Sequence, residues 1–416
     1  MTTIKRLDAL EILDSRGRPT ISARCELQSG ATASCSVPSG ASTGSGEALE
    51  LRDGDSRRYG GLGCRKAVEH VNVEINSILA GSAFASQSEL DRALIDLDGT
   101  TNKSRLGANA ILAVSLAFAR ARSMESQQPL YRNFANMIGS QLPLLPRLTV
   151  NLFSGGKHAG NQVPIQDVLV CPISTSSVSA SLEMVYAIYQ TAAKEILSRY
   201  GMRLLRADEG GLAPPCATID ELLSLAVECI EQAGYCPGKD VALAVDVASS
   251  HFFDQGTYNL GDEQLTSEGM VDRLVTWIDT YPIVSLEDGL AEDDWDNWPD
   301  LFARIGDRCL VLGDDLLCTN PKRIQRAGAS HAANALLLKV NQIGTLTEAA
   351  EAYRLARSFG WKITVSARSG ETEDNWLADL AFGWSADQIK IGSITQSERL
   401  AKYNRLLEIE TEIGAA

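Results

Sequence analysis

The chain has 416 residues, of which 44% are apolar and 22% charged, and a formal net charge of −15. That length supports a large core and two domains. The acidic balance argues against nucleic acid or an anionic membrane as a default partner, but it permits a small anion held by a local basic site or a metal. Nine cysteines without a CxxC pair are expected as free buried thiols of a reducing cytosol. The start, MTTIKRLDAL, has no apolar signal core, and no run is long enough to span a bilayer, so a cytoplasmic protein is expected.

In chain order, TISARCELQ alternates Ile21, Ala23, Cys25 and Leu27 as a half-buried strand does. Ser29 and Gly30 form a turn signal, and ATASCSVP can return as the hairpin partner. A Gly/Ser-rich loop follows, PSGASTGSGE at 38–47, and then two segments with helical spacing, GCRKAVEHVNVEINSILAG and GANAILAVSLAFARARSM. Residues 1–135 therefore read as an α+β capping domain, with GSQLPLLPRL as a linker.

From residue 146 to the end the pattern alternates strand and helix. The strand-like runs are LTVNLF, DVLVCPI, VALAVDV, PIVSLED, LVLGDD, ALLLKVN, KITVSAR and QIKIGS. Helical runs such as SASLEMVYAIYQTAAKEILSRYG and TLTEAAEAYRLARSFG lie between most of them. This alternation predicts parallel pairing and a (β/α)8 barrel, with the early units less regular than the later ones.

Several of these apolar strands end in a charged residue: Asp246, Glu287, Asp314, Lys339, Arg368 and Lys390, spaced by the length of single βα units. In a barrel all six reach the C-terminal mouth, where active sites of this fold sit. One such residue alone reads better as a strand-end salt bridge; six in register read as a site. Asp246, Glu287 and Asp314 make a hard oxygen cage suited to Mg2+. A nearby dication and Lys390 would lower the pKa of Lys339, which could then act as a base next to a substrate carboxylate. Arg368 and Ser369 could hold a phosphate. Glu209, on the Gly-rich loop RADEGGLAPP, is a candidate general acid, and His158, in FSGGKHAGN, lies on a loop that could close over substrate. A Ser hydroxyl in the 39–45 loop could reach a second metal.

These residues and the stretches EILDSRGRPT, VPSGASTG, ELRDGD, RYGGLG, GANAILAVS, DEGGLAP, SLEDGLAEDDWDNW, LVLGDDLLCTN, LLLKVNQIGT, RSGETED and SERLAKYNRLL closely resemble enolase over nearly the whole chain. The resemblance implies an enolase-type (β/α)8 barrel with an α+β cap, a homodimer, and two Mg2+ ions per site. It implies that Asp246, Glu287 and Asp314 bind the first ion and Ser39 helps with the second. Lys339 would take the proton from carbon 2, and Glu209 would assist departure of the carbon 3 hydroxyl. Lys390 would contact the carboxylate, Arg368 and Ser369 the phosphoryl group, and His158 would close with the lid.

Three positions depart from the family pattern. Enolases typically read SHRSGETED where this chain has SARSGETED, so Ala367 replaces a histidine. In PIQDVLV, Gln166 is kept but Asp167 replaces a catalytic glutamate; Gln396 replaces a usual arginine. The proton-abstracting half is intact and the leaving-group half is altered. That pattern fits an enzyme acting on a phosphono or otherwise modified phosphorus substrate, as in carboxyphosphonoenolpyruvate synthase of phosphinate biosynthesis. The alternatives are an ordinary glycolytic enolase and a non-catalytic binding protein on the same scaffold.

Overall fold

The computed structural model describes residues 1–41, 44–140, 144–201 and 205–414; the linker segment 141–143 and loop residues 42–43 lie outside these ranges. The N-terminal unit is built on an antiparallel sheet in the order β3-β2-β1-β4, comprising β1 (Thr2–Leu13), β2 (Pro19–Leu27), β3 (Thr32–Ser36) and β4 (Ala83–Phe84). Ile21, Ala23, Cys25 and Leu27 all face inward, as their alternation predicts. The helix Ala108–Glu125 covers β2 and β3. It is apolar around most of its circumference, and almost every residue from Ala108 to Ala119 is buried, because its far side meets the barrel segment Val340–Ile343. GCRKAVEHVNVEINSILAG forms one helical stretch over 65–79, with a π-helical segment at His70–Ile75.

The second unit is a closed eight-stranded barrel. Its strands are β5 (Arg147–Ser154), β6 (Asp167–Pro172), β7 (Val241–Asp246) and, after a small antiparallel sheet of β8 (Phe253–Asp254), β9 (Thr257–Leu260) and β10 (Glu263–Leu265), β11 (Ile283–Glu287), β12 (Leu310–Gly313), β13 (Ala335–Leu338), β14 (Lys362–Ser366) and β15 (Gln388–Gly392). All eight predicted barrel strands form. Most are buried on both faces, which is why they read as unbroken apolar runs.

The expectation of parallel pairing throughout is corrected at one strand. β6 runs antiparallel to both β5 and β7. The β5–β6 connection, 155–166, is a loop with a single 3-10 turn and no crossover helix, so the chain can only return antiparallel. Two helices, Val178–Tyr200 and Ile219–Gln232, then separate β6 from β7. One carries the chain back up and the other down, which places the loop between them at the barrel mouth. The start of β6, the 155–166 loop and this inter-helix loop thus join the strand ends of the other units.

The units are locked by buried polar groups and by close backbone approach. Asp91, on the cap helix Gln87–Asp98, accepts hydrogen bonds from the Thr347 backbone N–H (2.9 Å) and hydroxyl (2.5 Å), on the barrel helix Leu346–Ser358, and from Gln87 Nε2 (2.9 Å). At Gly383 a Cβ would lie 2.4 Å from the Tyr131 carbonyl oxygen, so only glycine lets the cap helix Leu130–Ile138 settle against Trp376–Gly383. Among the described residues the nine thiols are all unpaired, eight buried and Cys236 exposed, and no helix is long and apolar enough to cross a membrane. Asp91→Ala strands buried Thr347 donors. It should lower stability by about 2–3 kcal/mol in denaturant titration, whereas Asp96→Ala on the same helix's more exposed side should change it by less than about 0.5 kcal/mol.

Candidate active site

The mouth gathers the residues that the strand ends deliver. Asp246 and Glu287 are the last residues of β7 and β11, and they are backbone neighbours in register. Asp314 follows β12 and Lys339 follows β13, while Lys390 lies within β15 and Arg368 two residues beyond β14. A small cavity of about 30 Å³ sits between them; its lining includes Asp246, Asp314, Lys339, Ala367, Arg368 and Lys390, with His158 and Glu209 from the loops. That volume holds one or two waters.

Electrostatics in this space are dominated by buried like charges. Lys390 Nζ bridges Asp246 and Glu287, at 2.7 Å to each. Burial opposes ionisation of Asp246, but Lys390 outweighs it and holds that carboxylate at about 2. Burial, with Asp246 and Asp314 close by, pushes Glu287 well above the usual carboxylate range. Lys339 is ion-paired with Asp314, whose other oxygen accepts from Gln342 Nε2 at 2.8 Å. Burial would lower the Lys339 pKa, yet Asp314 raises it overall, so the protein's own charges keep this lysine protonated. The lowering expected of a base requires additional positive charge next to Asp314. A cluster of hard oxygen donors that disfavour one another is the setting in which a dication fits. Among the described residues the buried Gln166 Oε1 has no hydrogen-bond partner, while its Nε2 donates to Asp246 at 3.0 Å.

Among the described residues, two groups outside the expected trio also bring polar side-chain atoms close together. Asp288, Asp314 and Asp315 bring ligand atoms within 4.8 Å of one another, as do His158, Asp167 and Glu209. Asp288 has a supporting part: its carboxylate accepts the backbone N–H groups of Asp314 (2.9 Å) and Asp315 (2.7 Å), which fixes the turn that presents Asp314.

At the anion end, Arg368 is buried and forks onto Glu47 (3.0 and 3.3 Å), with Asn341 Oδ1 at 3.1 Å. Burial works against its charge, and Glu47 more than offsets this. Ser369 Oγ accepts from Arg16 Nη1 (3.2 Å) and the Ala41 N–H (2.9 Å). Ser39 and Gly370 exchange backbone hydrogen bonds of 2.8 and 2.9 Å, stitching the cap loop to the barrel mouth. A Cβ at Gly370 would lie 2.3 Å from Asp14 Oδ2 and 2.7 Å from the Ser39 carbonyl oxygen, which explains the glycine in SARSGETED. The Ser39 hydroxyl donates to Glu50 (3.1 Å) and accepts from Arg52 (2.7 Å), so it points into the cap's own ion pair. The next residues of that loop, 42 and 43, lie outside the described ones.

At the opposite end, Asp167 is fully enclosed. Its Oδ1 accepts from Ser154 Oγ at 2.6 Å and its Oδ2 lies 3.0 Å from His158 Nδ1. His158 Nε2 in turn lies 3.9 Å from Glu209 Oε1, and Glu209 Oε2 accepts from Asn151 at 3.2 Å. Burial pulls the His158 pKa down, but Asp167 and Glu209 prevail and hold it at about 9. Ala367 presents its methyl group to the cavity, and Gln396 donates to the Ala207 carbonyl at 3.4 Å.

All the residues singled out from sequence lie in or around this mouth, with the Ser39 hydroxyl engaged by Glu50 and Arg52. Sequence reasoning passed over Arg16, Glu47, Asp288, Asp315, Gln342 and His251, the last of which lines the cavity. Most of them sit in stretches that carry the resemblance, such as EILDSRGRPT and SLEDGL, so the signal was present, but no single-residue pattern marked them.

Two family models together cover almost the entire chain. Residues 4–134 match the enolase N-terminal domain, and residues 142–416 match the enolase C-terminal TIM barrel domain. With the capped barrel and the acidic, lysine-flanked mouth already in view, these matches establish that the chain belongs to the enolase family.

Proposed function

We propose that this protein is a Mg2+-dependent carbon–oxygen lyase acting on a 2-phosphoglycerate-like acid whose phosphorus group is modified, as in carboxyphosphonoenolpyruvate synthase of phosphinate biosynthesis. The observation that carries this reading is Ala367. A methyl group lines the cavity beside Arg368 at the position where enolases carry an imidazole, while the lysines and carboxylates of proton abstraction are complete. The loss of that ring leaves room for an extra carboxyl on phosphorus. The domains act as a cap (1–135) and a catalytic barrel (146–416), and the family resemblance supports a cytoplasmic homodimer.

Asp246, Glu287 and Asp314 would hold Mg2+, and a second ion would sit toward Ser39. When bound, the metal would supply positive charge that stabilises a developing enolate. Lys339 would remove the proton on carbon 2, and Lys390 would neutralise the substrate carboxylate. Arg368 exchanges Glu47 for the phosphorus oxygens, with Ser369 alongside. Glu209 and His158 stand at the opposite side, where the carbon 3 hydroxyl leaves. The intact carboxylates and lysines equally favour a second reading, dehydration of 2-phosphoglycerate itself.

Three measurements separate the readings. With Mg2+ and 2-phosphoglycerate, the purified protein should form phosphoenolpyruvate at least about 10²-fold more slowly than its Ala367→His/Asp167→Glu double variant. A wild-type rate equal to or above that of the double variant would leave the ordinary glycolytic reading in place. On a carboxyphosphono analogue of 2-phosphoglycerate, Lys339→Ala should cost about 10⁴-fold in kcat, and Ala367→His about 10-fold or more in kcat/KM. No turnover of either substrate, with Mg2+ bound, would favour a binding protein. Mg2+ at 100 times its Kd should stabilise the fold by about 2.7 kcal/mol, a gain that Asp246→Ala abolishes in thermal melts.

A further inference from the structure

The acid end of the site holds an arrangement that the family pattern does not anticipate. Building on the function proposed above, we infer that Asp167 is a positioning residue that fixes His158 with Nε2 toward Glu209, so that His158 and Glu209 together deliver the proton to the leaving hydroxyl.

Asp167 cannot do this itself. Both of its oxygens are engaged, one by Ser154 Oγ and one by His158 Nδ1, and it is buried away from the cavity that His158 and Glu209 line. A glutamate at this position would extend one methylene further; the shorter side chain is drawn back to the ring. An aspartate accepting from Nδ1–H selects the orientation in which Nε2 faces outward, and a charged ring then presents Nε2–H to Glu209 Oε1, 3.9 Å away. Such hydrogen bonds commonly tighten only when substrate is present.

The loop is built to hold the ring in this place. A Cβ at Gly155 would lie 2.3 Å from Val163 Cγ2 and 2.6 Å from the Ile165 carbonyl oxygen, so the loop folds tightly on itself. The His158 N–H donates to the Gly155 carbonyl (3.1 Å), and the His158 carbonyl accepts from the Asp208 N–H (3.4 Å), one residue before Glu209. The charges acting on the ring come from Asp167 on β6, Glu209 on the inter-helix loop and Asp246 on β7, and His251 lies near enough to feel it. With Asp167 held by Ser154 and Glu209 by Asn151, the cluster has the connectivity of a relay.

The protons balance. The imidazolium gives its Nε2 proton to Glu209, and Glu209 gives a proton to the carbon 3 oxygen as that carbon–oxygen bond breaks and water departs. Lys339 has taken the carbon 2 proton and releases it to solvent, from which His158 is recharged. No oxidant or co-reactant is needed.

The test is a histidine-labelled NMR titration of the full-length protein, which has only four histidines. His158→Asn assigns the ring signal. The wild-type ring should stay protonated above neutral pH, and Asp167→Asn should lower its midpoint by about two pH units, with the His70 and His331 signals unchanged as a folding control. Asp167→Glu should restore part of the shift. A wild-type midpoint near 6.5, the ordinary histidine value, or one that Asp167→Asn leaves in place, overturns the proposal. This readout needs no substrate, so it stands apart from the proposed activity. For a substrate the wild type turns over, carbon 2 exchange in D2O should persist in both His158→Asn and Asp167→Asn, while dehydration falls about 10²-fold or more with little change in KM. Equal loss of exchange and dehydration would also overturn it.

Discussion

The structure turns on the burial of like charges at one end of a barrel. Asp246, Glu287 and Asp314 are enclosed together, and Lys390 and Lys339 offset their repulsion. Neither the carboxylates nor the lysines would be stable there alone, because an isolated buried charge is costly and its pairing must be near complete. The same crowding pushes Glu287 toward neutrality. Stability therefore depends on this one set of contacts, in which Lys339 pairs with Asp314 and Lys390 with Asp246 and Glu287.

The reversal of β6 distributes the remaining chemistry around this cage. In a barrel of uniformly parallel strands, the residues opening a strand sit at the bottom. Because β6 runs backward, Gln166 and Asp167 sit at the mouth, beside Asp246. The doubled helix after β6 returns Glu209 to the same end, and the short β5–β6 loop brings His158. One topological irregularity thus brings His158, Asp167 and Glu209 together.

The cap completes the opposite side. Arg368 reaches Glu47 across the domain boundary, and the Ser39–Gly370 backbone pair holds the loop down over the mouth. The cavity beneath it is small, about 30 Å³. Ala367 sits under this cover, where a change of one side chain alters the space available to a substrate without disturbing the cage.

Sequence alone determined the fold class, the eight strands and the charged residues at their ends. Each of these is written locally: as an apolar run of strand length, as a helix between strands, and as a polar residue where the strand leaves the core. The conspicuous substitutions at Ala367 and Asp167 were also legible, since a resemblance this extensive makes departures visible. Tertiary structure decided what no local pattern encodes. The antiparallel course of β6 follows from a connection without a crossover helix, and it relocated Asp167. The pairing of that carboxylate with His158 and Ser154, the fork of Glu47 on Arg368, and the turning of Ser39 toward Arg52 each join residues distant in sequence or on different elements. Direction and distance between side chains are properties of packing, so they became readable only once the elements were assembled.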